Sequence, residues 1–402
     1  ELMPNFSKAY YRLSLLIIDI FNDNLIKYLF SEKILESKEN IPNLNQADIY
    51  FARGNILERR KEYKESYRMF RKANILTRKE FKSNFKVFKE ALKVDSIIVK
   101  KIEDISPLKD KNLPTPIFTI GLPRAGKSTT ESILSSNKLL IRFGDRKGIS
   151  EIIRDYKNIE KSFDILGITN NPTYKEIRNA YLRLAKEYHP DKGGDEKIMA
   201  QIVEGYQFLK NEYKEKAEDY RRPNLYKFFI QKLGADIDSF HYTCHTSPNN
   251  ILYTGVIAKE IPKSKIIYCY RNANDHIIEL YKYNLRNYLS LKTSIIDLAK
   301  TMVIIHNQME EYKNRLNSKI YFLNFDQLIL KPKREIKSLL NWLNWKYDDK
   351  YLAPKLMPKG FIKSRNNINN LNSSYIHNGK NYSEMLKPIE GILSTIKSRN
   401  SN

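Results

Sequence analysis

The stretch from Pro116 to Asn137, PIFTIGLPRAGKSTTESILSSN, constrains the fold more than any other part of the chain, because it reads as strand, tight turn and helix in immediate succession. Ile117, Phe118 and Ile120 form an apolar run of strand length, and Gly121 permits a sharp turn. Ser128 then opens a helical segment whose apolar side includes Ile133 and Leu134. A turn at a helix N-terminus aims unpaired backbone N–H groups and the positive end of the helix dipole at whatever lies in front of it. Phosphate is the usual guest of such a turn.

The rest of the chain supplies the layers around that unit. Leu139 to Phe143, Lys265 to Tyr270 (KIIYCY) and Lys319 to Phe325 (KIYFLNF) are further short apolar runs bounded by polar residues. They alternate with helix-length segments, so an α/β domain with a mainly parallel, helix-covered sheet is expected. Ligands on such sheets bind beyond the C-terminal ends of the strands, the edge where Gly121 and Arg271 both fall. Residues 1–106 read as helical. Within them Ile49 to Ala73 places Gly54, Leu57, Ser66, Phe70 and Ala73 at the small and large packing positions of a tetratricopeptide-like repeat, and Pro4 to Leu13 resembles the start of another. Such helices could form a partner-binding groove or a brace on the α/β domain. Pro107 to Pro116 is a proline-containing linker. The expected organisation is helical repeats over 1–106, a first α/β part over 107–160, an inserted module over 161–217 and a second α/β part over 218–402.

Composition narrows the partners. Lys and Arg exceed Asp and Glu by 70 − 46 = 24, which favours acidic ligands such as nucleotides or sulfated and phosphorylated substrates. The charge is spread along the chain and no base-stacking or groove-reading motif accompanies it, so nucleic acid is not the expected partner. Cys244 and Cys269 are the only cysteines. They imply neither a disulfide framework nor a zinc site, and no bound metal is expected. No apolar run is long enough to span a bilayer, so a cytoplasmic location is expected. The chain begins at Glu1 rather than Met, and an incomplete N-terminus is part of that expectation.

Gly121 to Ser128 satisfies GxxxxGK[ST], which taken literally suggests a P-loop NTPase or kinase. The Pro123-Arg124 pair, the following Ser128-Thr129-Thr130 and the helix ending SILSSN instead resemble the phosphosulfate loop of sulfotransferases. That resemblance implies a P-loop-like, three-layer sulfotransferase fold. It also implies that Arg124, Ala125, Gly126, Lys127, Ser128 and Thr129 hold the 5′-phosphosulfate of PAPS (3′-phosphoadenosine 5′-phosphosulfate).

Between this loop and KIIYCY lies FDILGITNNPTYKEIRNAYLRLAKEYHPDKGGD, beginning at Phe163. Thr173 and Glu176 form a capping-box signature. Ile177, Tyr181, Leu184, Ala185 and Tyr188 follow at helical spacing, with Lys175, Arg178, Arg183 and Lys186 on the opposite side. The segment resembles the J domain of DnaJ-type co-chaperones, including the tripeptide His189-Pro190-Asp191 and a third helix from about Glu196 to Lys210. The resemblance implies that His189, Pro190, Asp191, Lys175, Arg178 and Lys186 engage an ATP-bound heat-shock chaperone. Gly205 stands where Ala is usual.

The segment from Cys244 to Tyr283 resembles sulfotransferases with tetratricopeptide repeats, which are similar to protein-tyrosine sulfotransferases. In them an Arg after a strand, with a Ser eight residues later, holds the 3′-phosphate of PAPS. Arg271 takes the first position, where its planar fork suits a phosphate; Glu279 takes the second, a departure. A Thr-Asp-Lys triplet is replaced by Cys244-His245-Thr246, and a Trp that covers the cofactor is replaced by Gly379. Sulfuryl transfer requires a base for the acceptor hydroxyl and positive groups for the developing charge. Asp145, in RFGD, and His245 are the candidate bases, Asp145 the preferred one; Arg124 and Lys127 are the candidate charge stabilisers, Lys127 also standing in for the lost triplet Lys. The expected function is PAPS-dependent sulfuryl transfer to a hydroxyl of a protein, carbohydrate or small molecule. The alternatives are a co-chaperone or scaffold with a degenerate sulfotransferase domain, and an NTPase or kinase.

Overall fold

The computed structural model describes residues 6–15, 23–35, 41–102, 113–144, 148–168, 172–213, 225–233, 239–261, 263–284, 294–316, 318–353 and 376–396. Its centre is a five-stranded, all-parallel sheet in the order β2-β3-β1-β4-β5. The strands are β1 (Thr115–Ile120), β2 (Leu140–Gly144), β3 (Tyr242–His245), β4 (Lys265–Tyr270) and β5 (Ile320–Asn324). Three of them coincide closely with apolar runs, and β2 nearly so. Strand β3 was not anticipated as a strand, because HYTCH has no apolar run; it is built from residues buried on both sides of the sheet.

Successive residues of β1 and β4 enter opposite cores, as the two-residue period of a strand requires. Ile117, Ile267 and Cys269 join Ile133, Leu134, Ile336 and Leu339 on one face, whereas Phe118, Ile120, Ile266 and Tyr268 join the larger core on the other. Both faces are therefore covered, which is why these strands are near-continuously apolar.

The chain before the sheet is helical: α1 (Ser7–Ser14), α2 (Asp23–Phe30), α3 (Asn43–Arg59), α4 (Tyr63–Glu80) and α5 (Phe85–Lys100). Helices α3 and α4 pack as a hairpin. A Cβ on Gly54 would run into the Phe70 ring, so the small residue is what lets the two helices approach. Helices α4 and α1 both pack on the α/β domain: Asn74 Nδ2 of α4 donates to Tyr281 O at 3.0 Å, and the Asn284 amide donates to the hydroxyl of Tyr11 on α1 at 2.9 Å.

After β1 come α6 (Lys127–Leu134), β2, and the long α7 (Ile149–Leu166). The N-terminal half of α7 buries Ile149, Ile152 and Ile153 in the main core, and its C-terminal half carries Phe163 and Leu166 into a three-helix module with α8 (Tyr174–Glu187) and α9 (Glu196–Tyr213). The expected boundary at 160/161 thus falls inside one continuous helix. Thr173 and Glu176 form the capping box read from the sequence, and Tyr181 stacks on Tyr206 at 4.0 Å. A Cβ on Gly205 would meet Ile165 and Ser162 at 3.6 Å, ordinary contact, so Gly here costs helix propensity and not packing.

The chain continues through α10 (Leu225–Leu233), β3, α11 (Thr254–Glu260), β4, α12 (Ala273–Lys282), α13 (Ile295–Arg315), β5, α14 (Phe325–Leu330) and α15 (Pro332–Trp342). Two short helices, α16 (Ser383–Leu386) and α17 (Glu390–Leu393), end the described part. No helix among the described residues is long and apolar enough to cross a membrane.

Candidate active site

Strands β1 and β4 are hydrogen-bonded neighbours with Ile120 opposite Tyr268, so the turn after β1 and the turn after β4 share one edge of the sheet. The first turn has an unusual backbone: Gly121, Arg124 and Gly126 lie at φ of 135°, 65° and 92°. Gly121 is obligatory on a second ground, because a Cβ there would strike the Cys269 carbonyl, and one on Gly126 would strike the Phe325 ring. Gly126 is also the N-cap of α6, so the amides that open this helix face out of the cradle. Ala125 is buried beneath the turn, Thr129 is half-buried and Ser128 is exposed at the helix start.

Two side chains brace the cradle from behind. Lys127 is buried and its Nζ donates to the carbonyls of Gly121 at 2.8 Å and Leu122 at 2.7 Å. His276 of α12 donates from Nε2 to the Pro123 carbonyl at 2.7 Å. Burial holds that imidazole neutral, its pKa pushed down to about 3 despite the favourable Pro123 contact, with Arg271 and Lys127 adding to the depression.

Arg271 follows β4 directly. Its Nε donates to Asp326 Oδ1 at 3.0 Å, its guanidinium lies 5.7 Å from the Phe325 ring centre, and both partners of the ion pair are buried. Asp326 also accepts from the Asn272 amide at 2.6 Å, which fixes the turn into α12. A cavity of about 290 Å³ opens beside this pair, lined by Leu122, Tyr270, Arg271, Asp275, Asp326 and His377 among others. Asp275 ties the C-terminal segment over it, accepting from the His377 and Gly379 amides at 2.7 Å each. A side chain at Gly379 would crowd Asn274 and Asp275 at 3.1–3.2 Å, so the glycine is what allows this segment to lie so close.

Glu279 is buried with its charge compensated. Its Oε1 takes the Lys282 ammonium at 3.0 Å and its Oε2 faces Arg124 Nη2 at 3.6 Å. Burial alone would raise its pKa; Lys282 and Arg124 outweigh that and hold it below the ordinary carboxylate range. This carboxylate is thus bridged by two cations. Arg124 reaches this pair through its left-handed backbone, donating to the Tyr283 hydroxyl at 2.9 Å with its guanidinium 4.0 Å from that ring's centre.

The candidate bases have different fates. Asp145 lies outside the described residues, one position beyond Gly144, whose amide donates to Glu131 Oε1 at 2.9 Å and so ties the end of β2 to α6. His245 is buried between the Phe118 and Phe143 rings, both 5.1 Å away, with Phe229 at 4.8 Å edge-on. Its Nε2 pairs with the Thr243 hydroxyl at 2.8 Å, and burial pushes its pKa down to about 3. The ring is a packing element of β3, and Cys244 and Thr246 beside it are buried as well.

In the three-helix module, Lys175, Arg178 and Lys186 are exposed on α8. His189, Pro190 and Asp191 occupy the exposed turn between α8 and α9, where His189 Nδ1 accepts from the Asp191 amide at 3.2 Å. Among the described residues no cluster of His, Cys, Asp or Glu could hold a metal. Sequence reading missed Asp326, Asp275, Lys282 and Glu58, each of which acts through a partner remote in sequence. A carboxylate just after an apolar run, as in NFDQ, is the one signal that could have found Asp326.

The model of the sulfotransferase family matches residues 116–349, more than half of the 402. The chain belongs to the sulfotransferase family. An uncharacterized protein of Aquifex aeolicus is 23% identical to this chain over 329 residues, which is 80% of the chain and 38% of the relative. The chaperone protein DnaJ of Hydrogenobacter thermophilus is 41% identical over 105 residues, covering 24% of the chain and 27% of DnaJ. DnaJ homolog subfamily B member 5 of Mus musculus is 33% identical over 90 residues, 22% of the chain and 26% of that protein. These matches bear out an inserted J domain, and the chain spans well under half the length of each of these relatives. Among solved structures, the sulfotransferase domain from the curacin biosynthetic pathway is similar at a TM-score of 0.40 and 14% identity, covering 66% of the chain and 90% of the domain. A sulfotransferase of Mycobacterium tuberculosis gives 0.32 and 10%, covering 87% of the chain and 91% of that chain.

Proposed function

We propose that this sulfotransferase transfers a sulfuryl group from PAPS to a hydroxyl of a protein, carbohydrate or small molecule. The observation that carries the reading is the pairing of β1 with β4, which sets a loop of the phosphate-binding kind and Arg271 on one sheet edge beside a cavity. The site fits a nucleotide bearing a phosphosulfate: two glycine positions admit no side chain, the α6 amides face outward, and an arginine lies across the cavity. PAPS would supply the activated sulfuryl group. The loop from Arg124 to Thr129 would hold its phosphosulfate end and Arg271 its 3′-phosphate. Arg124 would meet the charge that develops during transfer. Asp145 is the assigned base, since the low basicity and burial of His245 suit it poorly for accepting a proton. Lys127 would act through the loop carbonyls it braces.

The J domain would recruit a heat-shock chaperone through His189, Pro190 and Asp191 with the basic side of α8. His189→Gln is expected to abolish stimulation of a partner chaperone's ATPase; full stimulation by the variant would reject this role. Transfer of labelled sulfate from PAPS to a panel of hydroxyl acceptors tests the enzymatic reading. Wild type is expected to label at least one acceptor and Arg124→Ala to lose most of that labelling. A second reading, a scaffold that binds the donor without turnover, is favoured by the burial of the whole Cys244-His245-Thr246 triplet. It predicts binding and no labelling.

A further inference from the structure

Four alternating charges run from the helical hairpin to the phosphate loop. Glu58, at the end of α3, pairs with the Lys282 ammonium; Lys282 pairs with Glu279; Glu279 faces Arg124. The Asn378 amide of the C-terminal segment also donates to Glu58 Oε1 at 3.3 Å. Lys282 and Glu279 are buried, and Glu58 is 20% exposed at its side chain. An ion pair out of water persists only where each charge is compensated, and each member then fixes its neighbour's position. Arg124 is the most exposed of the four, with a side chain 34% exposed. An arginine presents its N–H groups in a rigid plane, so a guanidinium oriented by a carboxylate and a phenol can turn that plane toward an anion arriving from solvent.

We propose that Glu58, Lys282 and Glu279 are positioning residues that orient the Arg124 guanidinium for the anionic end of the donor, making the α3–α4 hairpin part of the donor site. This rests on the donor reading above. Glu279 supplies the carboxylate that holds the guanidinium, and the Tyr283 ring sets its plane. Lys282 keeps Glu279 ionised, and Glu58 fixes Lys282. Burial would strip the ammonium of its proton, but Glu279 and Glu58 raise its pKa above the ordinary lysine value. Loss of Glu58 leaves Lys282 to draw Glu279 toward itself and away from Arg124. The expected result is weaker ground-state binding of the anion with unchanged loop amides, hence a rise in KM larger than the fall in kcat.

A double-mutant cycle on the full chain tests this, using Glu58→Gln, Arg124→Ala and the pair, with titration by 3′-phosphoadenosine 5′-phosphate and separately by inorganic phosphate. Each single variant is expected to weaken binding of both probes about tenfold, and the pair to bind no worse than Arg124→Ala, because Glu58 acts only through that arginine. Additive losses, or Glu58→Gln binding like wild type, would overturn the proposal. Should Glu58→Gln fail to fold, Glu279→Gln takes its place, with Lys282 still paired to Glu58. If wild type binds phosphate but not the nucleotide, the donor reading falls, and the phosphate cycle alone decides the network. If wild type binds neither probe, both are overturned.

Discussion

Arg124 and His245 show how a residue's chemistry is set by its neighbours. Arg124, on an exposed turn, is given direction by a carboxylate and a tyrosine ring; His245, in a sequence that advertises a base, is held between aromatic rings with its basicity suppressed. Phe has nearly the shape of the buried imidazole, so His245→Phe is expected to keep sulfuryl transfer within about threefold of wild type. It should cost about 1 kcal/mol of stability, since only the Thr243 hydroxyl loses a partner. A fall of several decades in turnover, with donor binding intact, would make His245 the base and reject the assignment to Asp145. Lys127 carries a related lesson. Its motif suggested a group aimed at phosphate, whereas its ammonium is turned onto the loop carbonyls.

At the scale of elements, the strand-turn-helix unit was legible because its signals are local: an apolar run, glycines at positive φ and a helix start. The capping box of α8 was legible for the same reason. Strand β3 was not, because its burial comes from its place between β1 and β2 and not from its own composition. The charge network was equally hidden, since Glu58 and Lys282 are brought together only by the packing of the hairpin on α12. Asp95 on α5 is another such residue: it accepts from the Gly255 amide at 2.8 Å and the Tyr312 hydroxyl at 2.9 Å, yet burial pushes its pKa up to about 7. The folded state therefore keeps a proton that the unfolded chain releases near the ordinary carboxylate pKa. Its contribution to stability is complete below that value and is lost as pH rises toward about 7. His245 and His276, with depressed pKa values, give slopes of the opposite sign through the acid range. The test is therefore a difference: urea unfolding of wild type and Asp95→Asn between about pH 4 and 7, where wild type should lose stability relative to the variant by up to about 1.4 kcal/mol per pH unit. Parallel curves would show that Asp95 is ionised throughout.

For the whole molecule, the central feature is that three parts converge on one sheet edge. The hairpin reaches it through Glu58, the C-terminal segment through the amides on Asp275, and the J domain through α7, whose N-cap Gly148 lies beside Ser247 just beyond β3. That convergence is why the sequence conveyed the parts better than their arrangement: each motif is local, but the edge they share is made by strand order. The central claim is that this edge is a site for a phosphosulfate donor, and ligand-induced thermal stabilisation tests it most directly. The full chain is heated with PAPS, with its desulfated product, and with ATP and magnesium. The account predicts that the first two raise the melting temperature, that Arg271→Ala removes most of the shift, and that ATP with magnesium has little effect. Stabilisation by ATP with magnesium alone would contradict it.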